Sequence, residues 1–251
     1  MLFMPCRKLR ALGLLCTFGL AVSAQALTFS DSFDSTPSPL WRNEVGSWSV
    51  SGGTYGAASP SNRPNASSSL GVASLSDFTI ELDLIQPSDG GVWLRSAAAT
   101  GTTVGRTGIL LVSAGGNLYW HAVTDGSSEG SALNMASSVF TVGSASEHLK
   151  VVVSGNQYSA YLNGSATATT TLSDAHFTSG DVALYSNSSQ RFDNVSVQTA
   201  VPEPAAASVF GAVVAGGFVL VRRMRGSWIK SGGSPESIGA IAAVPSVGRQ
   251  V

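Results

Sequence analysis

The stretch DFTIELDLIQ, Asp77–Gln86, decides the fold. Phe78, Ile80, Leu82 and Leu84 alternate with Thr79, Glu81 and Asp83. Successive side chains of a strand point to opposite faces, so a period of two predicts a strand with one dry face and one wet face. The same pattern repeats outward. PSDGG (87–91) turns the chain into VWLRS (92–96). GILLVSAGGNLYWHAV (108–123) predicts a hairpin around Ala114-Gly115-Gly116. HLKVVVSGNQYSAYLNGS (148–165) predicts another around Ser154-Gly155-Asn156. GDVALYSN (180–187) and QRFDNVSVQ (190–198) supply two more strands. Upstream, Phe29 and Phe33 bracket a short strand, and GSWSV (46–50) and TYGA (54–57) form a hairpin through SGG. STPSPLW (35–41) and ASPSNRPNASSS (58–69) read as loops. Short strands at about a dozen residues per strand and turn, with Gly-rich turns and no helical period, predict an all-β sandwich.

Composition agrees. Of 251 residues 28 are Gly and only 12% are charged, with a formal net charge of −1. Ser and Thr crowd residues 28–200, and helix-forming Glu, Lys and Arg are scarce there. No large basic surface is available, which excludes nucleic acid as an electrostatic partner. A domain over residues 27–200 is long enough to bury a sizeable core without disulfides.

The two ends read differently. Arg7, Lys8 and Arg10 precede the apolar run ALGLLCTFGLAV (11–22), and AQA (24–26) is a small-x-small cleavage site. Residues 1–26 are therefore expected to be a signal peptide, with the mature chain starting near Leu27. Both cysteines, Cys6 and Cys16, lie in that leader, so thiolate and disulfide chemistry are not expected of the domain. After Ala200, VPEP breaks the chain and residues 205–221 are apolar apart from Ser208. As a helix that run covers about 25 Å, the length of a thin bilayer. Arg222, Arg223 and Arg225 close it and predict an outside orientation for residues 27–200. Residues 226–251 read as a low-complexity, disordered tail.

Val201, Pro202, Glu203 and Pro204, then the apolar run, then Arg222, Arg223 and Arg225, together resemble the PEP-CTERM sorting signal of Gram-negative bacteria. The resemblance implies export, transient anchoring in the inner membrane by the C-terminal helix, and processing by an exosortase. The domain has its own resemblance. FSDSFDS with GSWSVSGG, then HLKVVVSGNQYSAYLNGS, then RFDNVSV are similar to the concanavalin A-like, or LamG-like, jelly roll. That resemblance implies two packed antiparallel sheets, with carbohydrate bound on a sheet face or at loop ends. It also implies a structural Ca²⁺ where the first and last strands meet, with Asp34 and Asp193 as candidate ligands. For Asp193 a hydrogen bond to a neighbouring loop is the alternative. No other cofactor is expected.

Retaining glucanases of this fold carry Glu-x-Asp-x-x-Glu on one strand. Here Glu81 and Asp83 are followed by Gln86, and an amide cannot serve as the acid/base carboxyl. His121, His148 and His176 have no metal-type spacing. Catalysis is therefore not expected. Sugars present apolar C–H faces and hydroxyls, which suit aromatic platforms with convergent polar groups. Trp93, Tyr119, Trp120 and Tyr185 are the candidate platforms, with core packing the alternative for each, and Arg95 and His121 the candidate hydrogen-bonding partners. By alternation Trp93 and Arg95 share a face, whereas Tyr119 and Trp120 face opposite ways, so one of that pair belongs to the core. The expectation is a secreted surface or biofilm-matrix protein that binds or organises extracellular polysaccharide. A glycoside hydrolase and a purely structural surface protein are the alternatives.

Overall fold

Along Phe78–Ile85 every second side chain is buried, from Phe78 through Ile80 and Leu82 to Leu84. Each such side chain withdrawn from water contributes about 1.5–3 kcal/mol. The computed structural model describes residues 26–199. Except for Ala26, the signal peptide, the sorting segment at 201–225 with its 205–221 span, and the 226–251 tail lie outside the described residues.

The described residues form the strands β1 (Thr28–Asp31), β2 (Trp48–Ser51), β3 (Thr54–Ala57), β4 (Ala66–Ser69), β5 (Phe78–Ile85), β6 (Asp89–Ala98) and β7 (Arg106–Ala114). They continue with β8 (Asn117–Val123), β9 (Leu133–Ala136), β10 (Ser146–Ser154), β11 (Gln157–Leu162), β12 (Thr170–Ser173), β13 (Asp181–Ser186) and β14 (Arg191–Thr199). One sheet runs β12-β11-β10-β5-β14-β3-β2, with β1 also on β14; the other runs β4-β13-β6-β7-β8-β9. Every pairing within them is antiparallel.

The expected hairpins are β2–β3, β7–β8 and β10–β11. The first two turn through glycine pairs at positive φ, Gly52-Gly53 and Gly115-Gly116. First and last strands meet, as the jelly-roll resemblance implies: β1 lies along β14 from Thr28↔Gln198 to Asp31↔Val195. Leu27 N donates to Thr199 Oγ1 at 2.8 Å and Thr199 N to Leu27 O at 3.0 Å, which closes the sheet where the chain leaves it.

Ile80, Leu82 and Leu84 meet Val92, Leu94, Ile109, Leu111 and Trp120 in the main core between the sheets. A second, smaller cluster lies on the outer face of the six-stranded sheet, where Trp93, Leu110, Val112, Ala183 and Tyr185 gather with Val104 and Val123. Buried on both faces, β6 and β7 read as continuous apolar runs rather than alternating ones.

Two features depart from expectation. The serines expected in a loop form β4, all four residues of which are buried against β13. Their hydroxyls give the strand partners that an apolar pattern would not reveal: Ser68 Oγ donates to Asn43 Oδ1 at 2.7 Å, and Ser69 Oγ to the Glu44 carboxylate. Beside this edge Arg106 is fully buried, with Glu44 at 3.6 Å, Asp181 at 4.0 Å and Ser96 Oγ accepting from Nη2 at 3.1 Å. Burial pushes the Glu44 carboxyl up, but the Ser69 hydrogen bonds and Arg106 outweigh it and hold it below its ordinary value.

The second departure is at Arg95. Alternation puts it on the face of Trp93, but the register breaks between Leu94 and Ala97 against β7 and between Asp181 and Ala183 against β13. Arg95 takes φ +45° inside this bulge. Its side chain leaves the outer face and reaches Tyr158 in the main core.

Candidate functional site

The outer face of the six-stranded sheet carries two side-by-side rows. Tyr185, Gly91, Val112 and Tyr119 stand in register across β13, β6, β7 and β8. Ala183, Trp93, Leu110 and His121 form the next row. Gly91 contributes no side chain, so the first row has a low floor at Gly91 and Val112 between two tyrosines. Strands about 4.8 Å apart set those tyrosines' backbones about 14 Å from each other. A β-carbon at Gly91 would meet Leu111 O at 2.0 Å, so the position admits only glycine without a shift of β7.

Loops complete the rim. Asn62 comes from the segment before β4, Asp89 from the start of β6, and Glu129 and Gly130 from the β8–β9 connection. Together they enclose a hollow of about 130 Å³. Tyr185 Oη donates to Asn62 Oδ1 at 2.8 Å. His121 Nδ1 lies 3.0 Å from Glu129 O, and its ring stands edge-on to Tyr119 at 5.4 Å between centroids. Arg63 Nη2 donates to Glu129 Oε2 at 3.0 Å and Asn65 Nδ2 to Glu129 Oε1 at 3.3 Å. Asn187 Nδ2 donates to Asp89 Oδ2 at 2.9 Å. Among the described residues the Tyr119 hydroxyl and Asp89 Oδ1 carry no hydrogen bond.

Burial, reinforced by the Asp89 and Glu129 carboxylates, pushes the Tyr119 and Tyr185 phenols up. Burial pushes the His121 imidazole down, against the Glu129 carbonyl and carboxylate. Burial thus disfavours the charged forms of both phenols and of the imidazole at this site.

Of the six residues expected to touch sugar, Tyr119, His121 and Tyr185 line this hollow, Tyr185 only 3% exposed. Trp93 lies on the same face but is wholly buried in the outer cluster. Trp120 is the core member of its pair and donates from Nε1 to Thr170 Oγ1 at 3.1 Å. Arg95, 3% exposed, donates to Ser76 O, Gly155 O and Phe177 O at 2.7–2.9 Å and to Asp77 Oδ1 at 3.1 Å. These three side chains face protein, because the bulge turns Arg95 inward and large aromatic surface is withdrawn first from water. Tyr119 and His121 stand at the hollow, as their alternation on β8 allows. Asn62, Asp89 and Glu129 gave no signal in the sequence, since they are polar loop and strand-end residues brought together over long separations.

Glu81 and Asp83 lie on the outer face of the other sheet, both half-buried and both engaged. His148 Nδ1 is 2.8 Å from Asp83 Oδ1 and its Nε2 3.5 Å from Glu81 Oε2. Lys150 Nζ reaches Glu81 at 3.1 Å and Asn194 Nδ2 donates to Asp83 at 2.8 Å. Gln86 is exposed at φ +51°, past the end of the strand. His176 pairs with Asp174 at 2.9 Å on an exposed loop.

Asp34 accepts from Ser32 Oγ at 2.7 Å, and Asp193 accepts from Asn194 N at 2.7 Å. Burial pushes the Asp193 carboxyl up, and the charges of Asp83, Asp34 and Asp31 add to the rise. Asp31 is spent on Phe33 N, Ser38 N and Trp41 Nε1. Among the described residues no three His, Cys, Asp or Glu side chains are placed together to hold a metal ion.

The fold defines the class: an all-β sandwich of two antiparallel sheets, galectin-like and concanavalin A-like. No family model and no curated protein matches the chain. Solved structures do. A protein of unknown function with galectin-like fold from Bacillus subtilis is 10% identical with a TM-score of 0.54, covering 72% of this chain and 98% of its own. A putative glycosyl hydrolase from Parabacteroides distasonis is 13% identical with a TM-score of 0.50, covering 68% of this chain and 100% of its own. The carbohydrate-binding module CBM66 from Bacillus subtilis is 20% identical with a TM-score of 0.46, covering 64% and 93%. At these identities the first two likenesses are of fold alone.

Proposed function

We propose that this protein is a secreted, LamG-like sandwich that binds extracellular polysaccharide without catalysis, through the hollow between Tyr119 and Tyr185. The observation that carries the reading is the hollow itself. Two tyrosines flank a glycine-valine floor, and an unengaged phenol hydroxyl and carboxylate oxygen face a rim of polar groups. The partly exposed Tyr119 ring with a few convergent donors and acceptors matches the two-sided chemistry of a sugar. The fold supports the reading only as an architecture, since function belongs to the site. Delivery to the cell surface or biofilm matrix, through a cleaved leader and an exosortase-processed anchor at Val201–Arg225, rests on the sequence pattern alone.

Binding is tested by titrating the purified protein with an oligosaccharide panel and repeating with Tyr119→Ala, which weakens binding at least about tenfold if the ring forms a wall. Sorting is tested by intact-mass analysis of protein recovered from the medium or cell surface. Retention of residues beyond Arg225 would contradict it.

A further inference from the structure

The charge of the hollow says which sugars it takes. Its lining residues include two carboxylates, Asp89 and Glu129, and no Lys or Arg. Arg63 stands outside the lining and is committed to Glu129 at 3.0 Å, its side chain 52% exposed. Asn65, wholly buried, also donates to Glu129, so this carboxylate is held on both oxygens. Asp89 differs. Asn187 takes Oδ2, and Oδ1 has no hydrogen-bond partner among the described residues. The Asp89 backbone is pinned: its N donates to Ser188 Oγ at 2.9 Å, and its carbonyl accepts from Asn187 N at 3.1 Å. Asp89 is thus a carboxyl group held at the rim of the hollow with one oxygen unengaged.

Resting on the carbohydrate reading above, we propose that the hollow selects sugars bearing a free amine, hexosamine units of a partly deacetylated polysaccharide, with the ammonium docked on Asp89, and rejects uronic acids. An ammonium supplies the charged donor that Asp89 Oδ1 lacks, and charge-assisted bonds are about twice as strong as neutral ones. A uronate would bring a third carboxylate with no lining cation to meet it. N-acetylation removes the charge and keeps the ring, so it separates charge selection from ring stacking.

The experiment is calorimetric titration of the purified full-length protein at pH 6 with four probes: a glucosamine trisaccharide, its N-acetylated form, cellotriose and a glucuronate oligosaccharide. The expected result is that the free-amine trisaccharide binds about tenfold or more tighter than cellotriose and its N-acetylated form, with no heat from the uronate. Asp89→Asn reduces the amine probe to the affinity of cellotriose. Asp125→Asn, on an exposed turn outside the lining, preserves the preference and so excludes general attraction to a negative surface. Equal affinity for amine and neutral probes, or binding of the uronate, overturns the charge selection but leaves the carbohydrate reading standing. No binding by any probe, in wild type and variants alike, overturns both.

Discussion

The Arg95 guanidinium carbon stands 5.3 Å from the centroid of the Tyr158 ring, joining a strand of the six-stranded sheet to the core side of the eight-stranded one. Its N–H groups also close three backbone carbonyls, at Ser76, Gly155 and Phe177. Removing them leaves buried acceptors without donors. Arg95→Met is predicted to lower unfolding stability by about 3 kcal/mol, read as a reduced urea midpoint. Sugar affinity of the folded protein is unchanged, because Arg95 does not line the hollow. A loss of affinity without a loss of stability would restore it as a ligand contact.

The bulge that turns Arg95 inward depends on Gly180. A β-carbon there would lie 2.4 Å from the Arg95 carbonyl carbon and 2.7 Å from Ser96 N. Both are backbone atoms and cannot swing aside. Gly180→Ala is predicted to cost about 2–3 kcal/mol, whereas Gly164→Ala, at a position open to solvent, costs less than half of that even at its positive φ. Thermal melts of the two variants check the ranking.

Tyr55 ties stability to alkaline pH. Burial pushes its phenol up to about 12, against hydrogen bonds with Ser68 and Asn43. A phenol harder to ionise when folded favours the folded state fully below its unfolded value near pH 10, and that contribution is lost as pH rises towards about 12. The predicted loss from Tyr55 is roughly 2 kcal/mol between pH 9 and pH 12. Tyr55→Phe shows a shallower decline over that window, measured by urea unfolding at several pH values. An equal decline would assign it to the other buried tyrosines.

The strand at Phe78–Ile85 was legible because it lies inside its sheet with one face on the core and one on solvent, so burial followed residue type. The hairpin turns were legible through their glycines. β4 was not, since Ala66–Ser69 has no apolar alternation and is held by Asn43 and Glu44. Alternation places Trp93 and Arg95 on one face, but the bulge after Leu94 turns Arg95 away from it, and a bulge has no period. Of the hollow, Tyr119, His121 and Tyr185 could be named from their strands. Asn62, Asp89 and Glu129 could not, because only the register between β13, β6, β7 and β8 brings their loops together.

Carbohydrate binding at the hollow is tested by calorimetric titration of the purified protein with a panel of neutral and amino oligosaccharides, side by side with Tyr119→Ala. Saturable binding of at least one oligosaccharide is expected, weakened about ten- to a hundredfold by the substitution, with no reducing sugar released. Binding that Tyr119→Ala leaves intact, or no binding to any member of the panel, would contradict it.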